Sequence, residues 1–500
     1  MDLFSNLAMG FNVALTVQNI GFCFIGVLLG TAVGVLPGLG PLATIAMLLP
    51  LTYSLEPVTA LIMLSGIYYG AQYGGSTTAI LVNLPGESSS VVTCIDGHQM
   101  ARNGRAGSAL AIAALGSFFA GTIGTLLVAA FSPYLSRLAL SFGPAEYFSL
   151  MVLGLIAAVV LASGGLLKAV GMILIGILLG TVGTDVSSGV MRFTFGSLDL
   201  VDGFEFVAVA MGLFAFADII ANARGSNTRT LITDTVKGLW PNREEFRLAW
   251  PAVLRGTALG SVLGLLPGGG ATLSSFASYT IEKKISKHPE TFGKGAPAGV
   301  AAPESANNAG AQSSFIPMLT LGIPSNGVMA MMIGAMMIHD IVPGPEVMTS
   351  NAPLFWGLIA SMWIGNLMLV IFNLPMIGIW VRLLRIPYAI LYPAILIFST
   401  IGLYSIANST SAIIMGAAFA LFGYLLNRLK CEPAPLLLGF ILGPMMEEYL
   451  RRAMLLSRGD PAVFVTRPLS AVLLAAAVVL LVTIVSPMVR KKREEVFAED

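Results

Sequence analysis

Charge is scarce in this chain. Asp, Glu, Lys and Arg make up 11% of its 500 residues, and 56% are hydrophobic; an ordinary soluble domain is about 25% charged. A water-soluble fold cannot hide so much apolar surface, so lipid is the solvent for much of the chain. No charge occurs from Leu3 to Leu55, Ala106 to Ser136, Tyr147 to Leu167, Val347 to Val381, Ile386 to Asn427 or Pro468 to Val489. A helix needs roughly 20 apolar residues to span a bilayer, so several of these windows hold one span and the longest hold two. The polar–apolar alternation over about ten residues that marks a membrane barrel is missing. A net charge of +1 gives no footprint for nucleic acid. Cysteine is rare too: Cys23, Cys94 and Cys431 have no metal-ligand spacing and cannot all pair, which reads as buried thiols. No Lys or Arg precedes Arg102, so the basic start of a cleavable signal peptide is lacking. No metal constellation or nucleophile–base pattern stands out, and the expectation is a protein that is not an enzyme and carries no cofactor.

Apolar runs between helix breakers predict spans at 12–36, 41–51, 57–72, 106–132, 146–163, 165–183 and 204–222. Further runs follow at 250–266, 271–281, 311–321, 327–341, 353–379, 387–404, 409–427, 434–446 and 469–489. At 1.5 Å per residue, 41–51, 57–72, 271–281 and 311–321 are too short for a hydrocarbon layer of about 30 Å. They read as half-helices or re-entrant segments. The longest interior polar stretch, Ala221 to Trp250, carries Arg224, Arg229, Lys237, Arg243 and Arg247, and the C-terminal tail opens with Arg490, Lys491, Lys492 and Arg493. The positive-inside rule places both in the cytoplasm and leaves the N-terminus outside. The division expected is a first membrane repeat over 1–222, a cytoplasmic linker over 223–249, a second repeat over 250–468, and an extra transmembrane helix with a basic tail over 469–500. With that last helix set aside, each half crosses an odd number of times, so two copies would enter from opposite sides as inverted repeats.

What the chain does have is glycine and proline in echoing places. GVLLGTAVGVLPGLG (Gly26 to Gly40) and GTALGSVLGLLPGGG (Gly256 to Gly270) agree at eight of fifteen positions with an offset of 230. Gly26, Gly30 and Gly34 have the four-residue spacing of close helix packing. GAQYGGSTTAILVNLPGES (Gly70 to Ser88) is echoed by GAQSSFIPMLTLGIPSNG (Gly310 to Gly327), each reaching a Pro-centred break. Broken backbone is tolerated in a membrane only where protein or a water-filled cavity surrounds it. Paired breaks in two halves point to a transporter's midplane binding site. Glycine lets a ligand approach the main chain, helix N-termini attract anions, and free carbonyls suit Na⁺. The candidates from the breaks are Pro37, Gly38, Gly40, Pro267, Gly268 and Gly270, with Pro85, Gly86 and Pro324. Beside them Ser76, Thr77, Thr78 and Asn83 in the first half, and Asn307, Asn308, Ser325 and Asn326 in the second, offer hydroxyls and amides; helix capping is their alternative role.

Several segments resemble the large, TctA-like membrane subunit of the tripartite tricarboxylate transporters: GVLPGLGPLAT (34–44), YGAQYGGSTTAILVNLPGE (69–87), DGHQMARNGRAGSAL (96–110), GLLPGGGATLSSF (264–276), APESANNAG (302–310), IPMLTLGIPSN (316–326) and IHDIVPGP (338–345). The resemblance covers nearly the whole chain. It implies an importer of di- or tricarboxylates in the bacterial inner membrane, coupled to a cation. Its partners would be a small four-helix membrane subunit and a periplasmic solute-binding protein; in that membrane the charge rule above makes the N-terminus periplasmic and the C-terminus cytoplasmic. By analogy it also implies an elevator-type, ion-transporter-like architecture. The windows 26–40, 70–88 and 304–327 hold no Lys or Arg, so a carboxylate bound there needs a cation beside it, with Na⁺ favoured over H⁺. The alternatives are an intramembrane enzyme using Ser76 or Glu304, and a passive organic-anion channel. Glu304 is an intramembrane acid that could equally cap a helix. Asp96 and His98, with Arg102 and Arg105, read as a solvated loop. His339 and Asp340 read as an interfacial helix end, and Glu447, Glu448, Arg451 and Arg452 as a charged helix surface.

Overall fold

The computed structural model describes residues 3–36, 40–139, 141–161, 165–185, 188–222, 238–266, 270–384, 393, 396–397, 400–404 and 409–485. They are almost wholly helical; the one sheet among them is a two-residue antiparallel pair, Gly183–Thr184 against Met191–Arg192. Among the described residues four helical stretches are long and apolar enough to cross a bilayer: Val17–Val35, Ser88–Leu138, Ala352–Asn373 and Thr410–Arg428. The chain is an all-α, multi-pass membrane protein. The predicted run 12–36 divides into Leu3–Ala14 and Val17–Val35, because Thr16 interrupts the helix and its hydroxyl accepts from Asn19 N at 3.3 Å.

Two helix pairs form the centre. Val17–Val35 lies along Pro57–Val82, and Arg243–Leu263 lies along Pro297–Ser313. In the first pair, a Cβ placed on Gly26, Gly30 or Gly34 would overlap the main-chain oxygens of Met63, Ile67 and Ala71 in turn. In the second, Gly256, Gly260 and Gly264 stand in the same way against Ala302, Ala306 and Gly310. Such close approach is what small residues at four-residue spacing allow. The two seams share one register, with partners 230 residues apart on the first helix and 239 apart on the second.

A short helix follows each break. Pro41–Thr52 has 12 residues and Gly270–Ile285 has 16, about 18 and 24 Å at 1.5 Å per residue, both less than a bilayer's hydrocarbon thickness. The other two predicted half-helices turn out differently. The run 57–72 belongs to Pro57–Val82, whose 26 residues extend about 39 Å. Gly70 and Gly74 do not end it, because they face the backbone of Val17–Val35 around Val27 and Thr31. Ser76 and Thr77 return their hydroxyls to the carbonyls of Gln72 and Tyr73 at 3.0 and 3.5 Å. The run 311–321 is split between Phe315–Leu321, a seven-residue helix, and the end of Pro297–Ser313. Pro297–Ser313 has no apolar run to announce it. Its residues are mostly Ala, Gly, Ser and Asn, yet all except Ala298 are buried.

Arg243–Leu263 begins inside the span assigned to the linker. Asn242 and Glu245 cap it reciprocally: each side chain accepts from the other's main-chain N–H at 2.8 Å, a capping box. Residues 223–237, most of the run 387–404 and the basic tail lie outside the described residues.

Candidate functional site

Pro37, Gly38, Pro267 and Gly268 lie outside the described residues, so the breaks are defined by what flanks them. Helix ends leave main-chain carbonyls without intrahelical partners. Thr78 Oγ1 donates to Val35 O at 2.8 Å, and Ser314 Oγ donates to Gly264 O at 3.2 Å and Gly310 O at 2.7 Å. Thr78 is thereby committed to closing the first break, as Ser314 is to the second. Beyond the breaks, Gly40 caps Pro41–Thr52, with nothing within 4 Å of a Cβ placed on it. Gly270 has φ +47°, and its Cβ position lies 3.0 Å from Asn326 Nδ2.

The two Pro-centred turns have matching geometry. Asn83 ends Pro57–Val82 with φ 59°, and Gly322 ends Phe315–Leu321 with φ 72°; Pro85 and Pro324 follow at the same distance. Gly86 presses against Gly34 O so closely that no side chain fits. Asn326 then caps Gly327–Ile338, its Oδ1 accepting from Met329 N at 3.0 Å. Asn326 is therefore a cap, as its alternative role had it, while its Nδ2 reaches Tyr68 Oη and Ser314 Oγ, each at 3.4 Å. Ser325 Oγ donates to Ser314 O at 3.3 Å.

Each turn also touches the short helix of the other half. Ser88 Oγ lies 2.9 Å from Thr272 Oγ1, and Ser275 Oγ donates to Ser89 O at 2.8 Å. Reciprocally, a Cβ on Gly327 would stand 3.1 Å from Leu42 Cδ2. Leu42 and Thr272 are 230 residues apart, the offset of the breaks. The structure thus brings the flanks of both breaks and both turns into one region.

Ser76, Asn307 and Asn308 are elsewhere. They surround Glu304, which is fully buried in mid-helix, so neither it nor the two asparagines cap a helix. Ser76 Oγ donates to Glu304 Oε2 at 2.5 Å, and Thr93 Oγ1 donates to Oε1. Asn308 Nδ2 donates to Glu304 O at 3.1 Å and to Ser117 Oγ at 2.7 Å. A small cavity of about 10 Å³ opens beside this cluster between Tyr73, Ser76, Thr77, Ser117 and Asn373, about the space of one water. Sequence reading missed Thr93 and Ser117, which have no motif of their own; the acid at 304 was the one available signal.

The segment expected to be a solvated loop is the helix Val91–Met100 with a π turn after it. Asp96 is fully buried. Its Oδ1 accepts from the N–H groups of Gly293, Gly295 and Ala296 at 2.9, 2.8 and 2.8 Å, and its Oδ2 from Tyr279 Oη at 2.9 Å. A buried carboxylate must be fully hydrogen-bonded, and this one ties the first half to the loop before Pro297. Nearby, Arg105 Nη1 and Ser108 Oγ donate to Glu245 at 2.9 and 2.7 Å. Burial would raise the Glu245 carboxyl, but the Asn242 N–H, the Ser108 hydroxyl and the Arg105 guanidinium hold it below the usual carboxylate range. On the helix read as a charged surface, Arg451 and Glu447 pair at 2.6 Å and Arg452 pairs with Glu448. Glu447 also pairs with Arg192 at 2.8 Å and Arg451 with Asp185 at 3.0 Å, so this face is partly buried against the segment around the short sheet.

Broken helices, half-length helices and buried polar clusters within a multi-pass helical bundle define a membrane transport protein. Residues 20–438 match the profile of the tripartite tricarboxylate transporter TctA family, and the chain belongs to that family. It is 60% identical over 500 residues, the whole of both chains, to an uncharacterized 52.8 kDa protein of the TAR-I ttuC' 3' region in Agrobacterium vitis. It is also 59% identical over 241 residues to an uncharacterized protein of the TAR-II ttuC' 3' region in the same organism, which covers 48% of this chain and 100% of that one. No solved structure matches it.

Proposed function

We propose that this chain is the large membrane subunit of a binding-protein-dependent secondary transporter that imports di- or tricarboxylates with Na⁺, H⁺ being the second choice. It works in the bacterial inner membrane with a small four-helix subunit and a periplasmic binding protein, its N-terminus periplasmic and its C-terminus cytoplasmic. Membership in a tricarboxylate transporter family supports the substrate class. The observation that carries the mechanism is the crossed contact between halves, Ser88 to Thr272 and Gly327 to Leu42. A pseudo-twofold relation between inverted repeats accounts for both contacts and for the shared seam register. The substrate carboxylates sit at the region where the four interruptions meet, against Gly40, Gly86, Gly270 and the amides near Asn326.

Elevator motion needs two packed groups, each drawn from both halves. In support, Pro144–Leu161 and Leu166–Gly180 pack on Pro433–Leu456 and Pro468–Val485. The glycine seams, with Ala106–Ala139, make a separate group. A cation accompanies the substrate because the motif windows hold no Lys or Arg. A helix N-terminus offers only about half a positive charge, and burying an unpaired carboxylate costs several kcal/mol. The test is uptake into proteoliposomes holding all three components, with Na⁺ and H⁺ gradients imposed or collapsed separately. Accumulation driven by the Na⁺ gradient is expected. Accumulation that persists with neither gradient nor membrane potential would refute coupling.

A further inference from the structure

The seam register pairs each residue of Pro297–Ser313 along the seam with one of Pro57–Val82, 239 positions earlier. Glu304 falls opposite Ser65, whose hydroxyl simply returns to Ile62 O of its own helix at 3.0 Å. The packing of the repeat therefore does not require a carboxylate at this place. Glu304 nonetheless sits fully buried where four segments meet, with Ser76 from Pro57–Val82, Thr93 from Val91–Met100, Ser117 from Ala106–Ala139, and Asn308 on its own helix. The titratable groups that face it are Tyr73, Glu87 and Cys94, none of them cationic. Among the described residues, no Lys, Arg or His nitrogen forms an ion pair with it.

The surroundings favour positive charge. Each oxygen of Glu304 has a hydroxyl on it: Ser76 Oγ on Oε2, Thr93 Oγ1 on Oε1, and Ser117 Oγ on the main-chain O at 3.4 Å. All three hydroxyl residues are buried, and a hydroxyl that donates to a carboxylate can rotate and offer a lone pair to a cation. Oxygen ligands of this kind suit hard cations. Ser76 and Ser117 also line the small cavity, as does Asn373, whose buried Oδ1 has no hydrogen-bond partner among the described residues. A buried acceptor without a donor, in a cavity lined by two hydroxyls that also bond Glu304, is the environment of a cation or of the water that accompanies one.

We propose that Glu304, with Ser76, Thr93 and Ser117, binds the coupling cation, a single positive charge supplied as Na⁺ or as a proton. The inference rests on the cation-coupled transport reading but moves the cation site from the broken-helix carbonyls, two of which Thr78 and Ser314 already occupy, to the asymmetric carboxylate. Filling the site neutralises a buried acid that the repeat does not need for packing. The three hydroxyls come from segments of the first half and the acid from the second, so occupancy draws the two halves together.

Two readouts test it. In the purified full-length chain, replacing K⁺ by Na⁺ at fixed pH should raise the melting temperature saturably, or lowering the pH should do so where the cation is a proton. Glu304→Gln should abolish that rise, and Ser65→Ala, its counterpart in register, should keep it. In three-component proteoliposomes Glu304→Gln should lose accumulation driven by a Na⁺ gradient, or by a pH gradient if the wild type responds to pH and not to Na⁺, while still exchanging internal for external substrate. A purely structural role would remove both activities. If Glu304→Gln does not fold, Ser76→Ala and Ser117→Ala decide: each should raise the cation concentration for half-maximal uptake about tenfold, as losing one supporting group of an ion site does. Cation-dependent stabilisation and gradient-driven accumulation that both survive in Glu304→Gln would overturn the assignment. So would an unchanged cation requirement in the serine variants. A wild-type complex that accumulates nothing under any gradient would instead refute the transport reading, while the melting experiment would still judge the site.

Discussion

Adding one methyl group to the glycine seam should separate packing from propensity. Gly21 and Gly30 lie on the same helix, Val17–Val35. A Cβ at Gly21 meets nothing within 4 Å, whereas one at Gly30 would overlap Ile67 O and crowd Ile67 Cα at 2.7 Å. In a helix, Gly→Ala by itself gains about 1 kcal/mol. At Gly21 that gain stands alone. At Gly30 the obstacle is backbone, which cannot rotate away, so the helices must part by about 1 Å; a gap of that size forfeits a quarter to a half of each dispersion well along the seam. Overpacking costs about 1–3 kcal/mol, and a rigid obstacle puts Gly30→Ala at the upper end, for a net loss of about 2 kcal/mol after the propensity gain. Gly260→Ala, which would overlap Ala306 O, should lose a similar amount. The assay is thermal melting followed by fluorescence-detected size exclusion in one detergent, comparing Gly21→Ala, Gly30→Ala and Gly260→Ala with the wild type. Gly30→Ala melting at or above Gly21→Ala would refute the claim that the seam is closed at backbone contact.

Two further outcomes follow. Asp96→Ala leaves the buried N–H groups of Gly295 and Ala296 without an acceptor, at about 1–3 kcal/mol each; it should melt well below Asp96→Asn, whose amide oxygen can still accept, and equal melting would remove the latch. With the native cysteines replaced, Asn6→Cys should react with an impermeant thiol reagent from the periplasm and Glu495→Cys only after the membrane is opened; labelling from the same side would overturn the inverted topology.

The parts of the fold legible in the sequence were those with a steric cause. Proline and glycine announce a break whatever surrounds it, so Pro41–Thr52 and Gly270–Ile285 fell within a few residues of the expected 41–51 and 271–281. Gly26, Gly30 and Gly34 announced close packing by their spacing alone. The part that stayed hidden is polar and buried. Pro297–Ser313 carries Glu304, Asn307 and Asn308 inward, and hydropathy cannot distinguish a buried polar helix from a loop because the partners that satisfy it lie elsewhere in the chain. Asp96 was misread for the same reason: its acceptors are filled by the main chain of Gly293 to Ala296, almost 200 residues away, and no local pattern records that. Gly74 misled in the opposite direction, since a glycine that makes a tight helix pair possible looks from sequence alone like the end of a helix.

The distribution of rigid contacts limits where movement can occur. Within the central group, glycine meets main-chain oxygen along both seams, and Asp96 binds the helix Val91–Met100 to the start of Pro297–Ser313. In the second group Gly176 lies against Leu436 O and Gly439 against Ile173 O. Interfaces of this kind have no slack, because any slide brings a Cβ onto a carbonyl. By contrast, the contacts at the turns are hydroxyl to hydroxyl at Ser88 and Thr272 and amide to phenol at Asn326 and Tyr68. Each can be exchanged for water at little net cost, because an intramolecular hydrogen bond contributes only about 1 kcal/mol over its hydrated alternative. Gly327 stands between the groups, 3.1 Å from Leu42 and 3.5 Å from Ala434 at its Cβ position. A displacement of one group against the other would therefore act around Asn326 and Gly327 before it disturbed either seam. The alternating access proposed above would need such exchangeable contacts beside seams in which glycine meets main-chain oxygen.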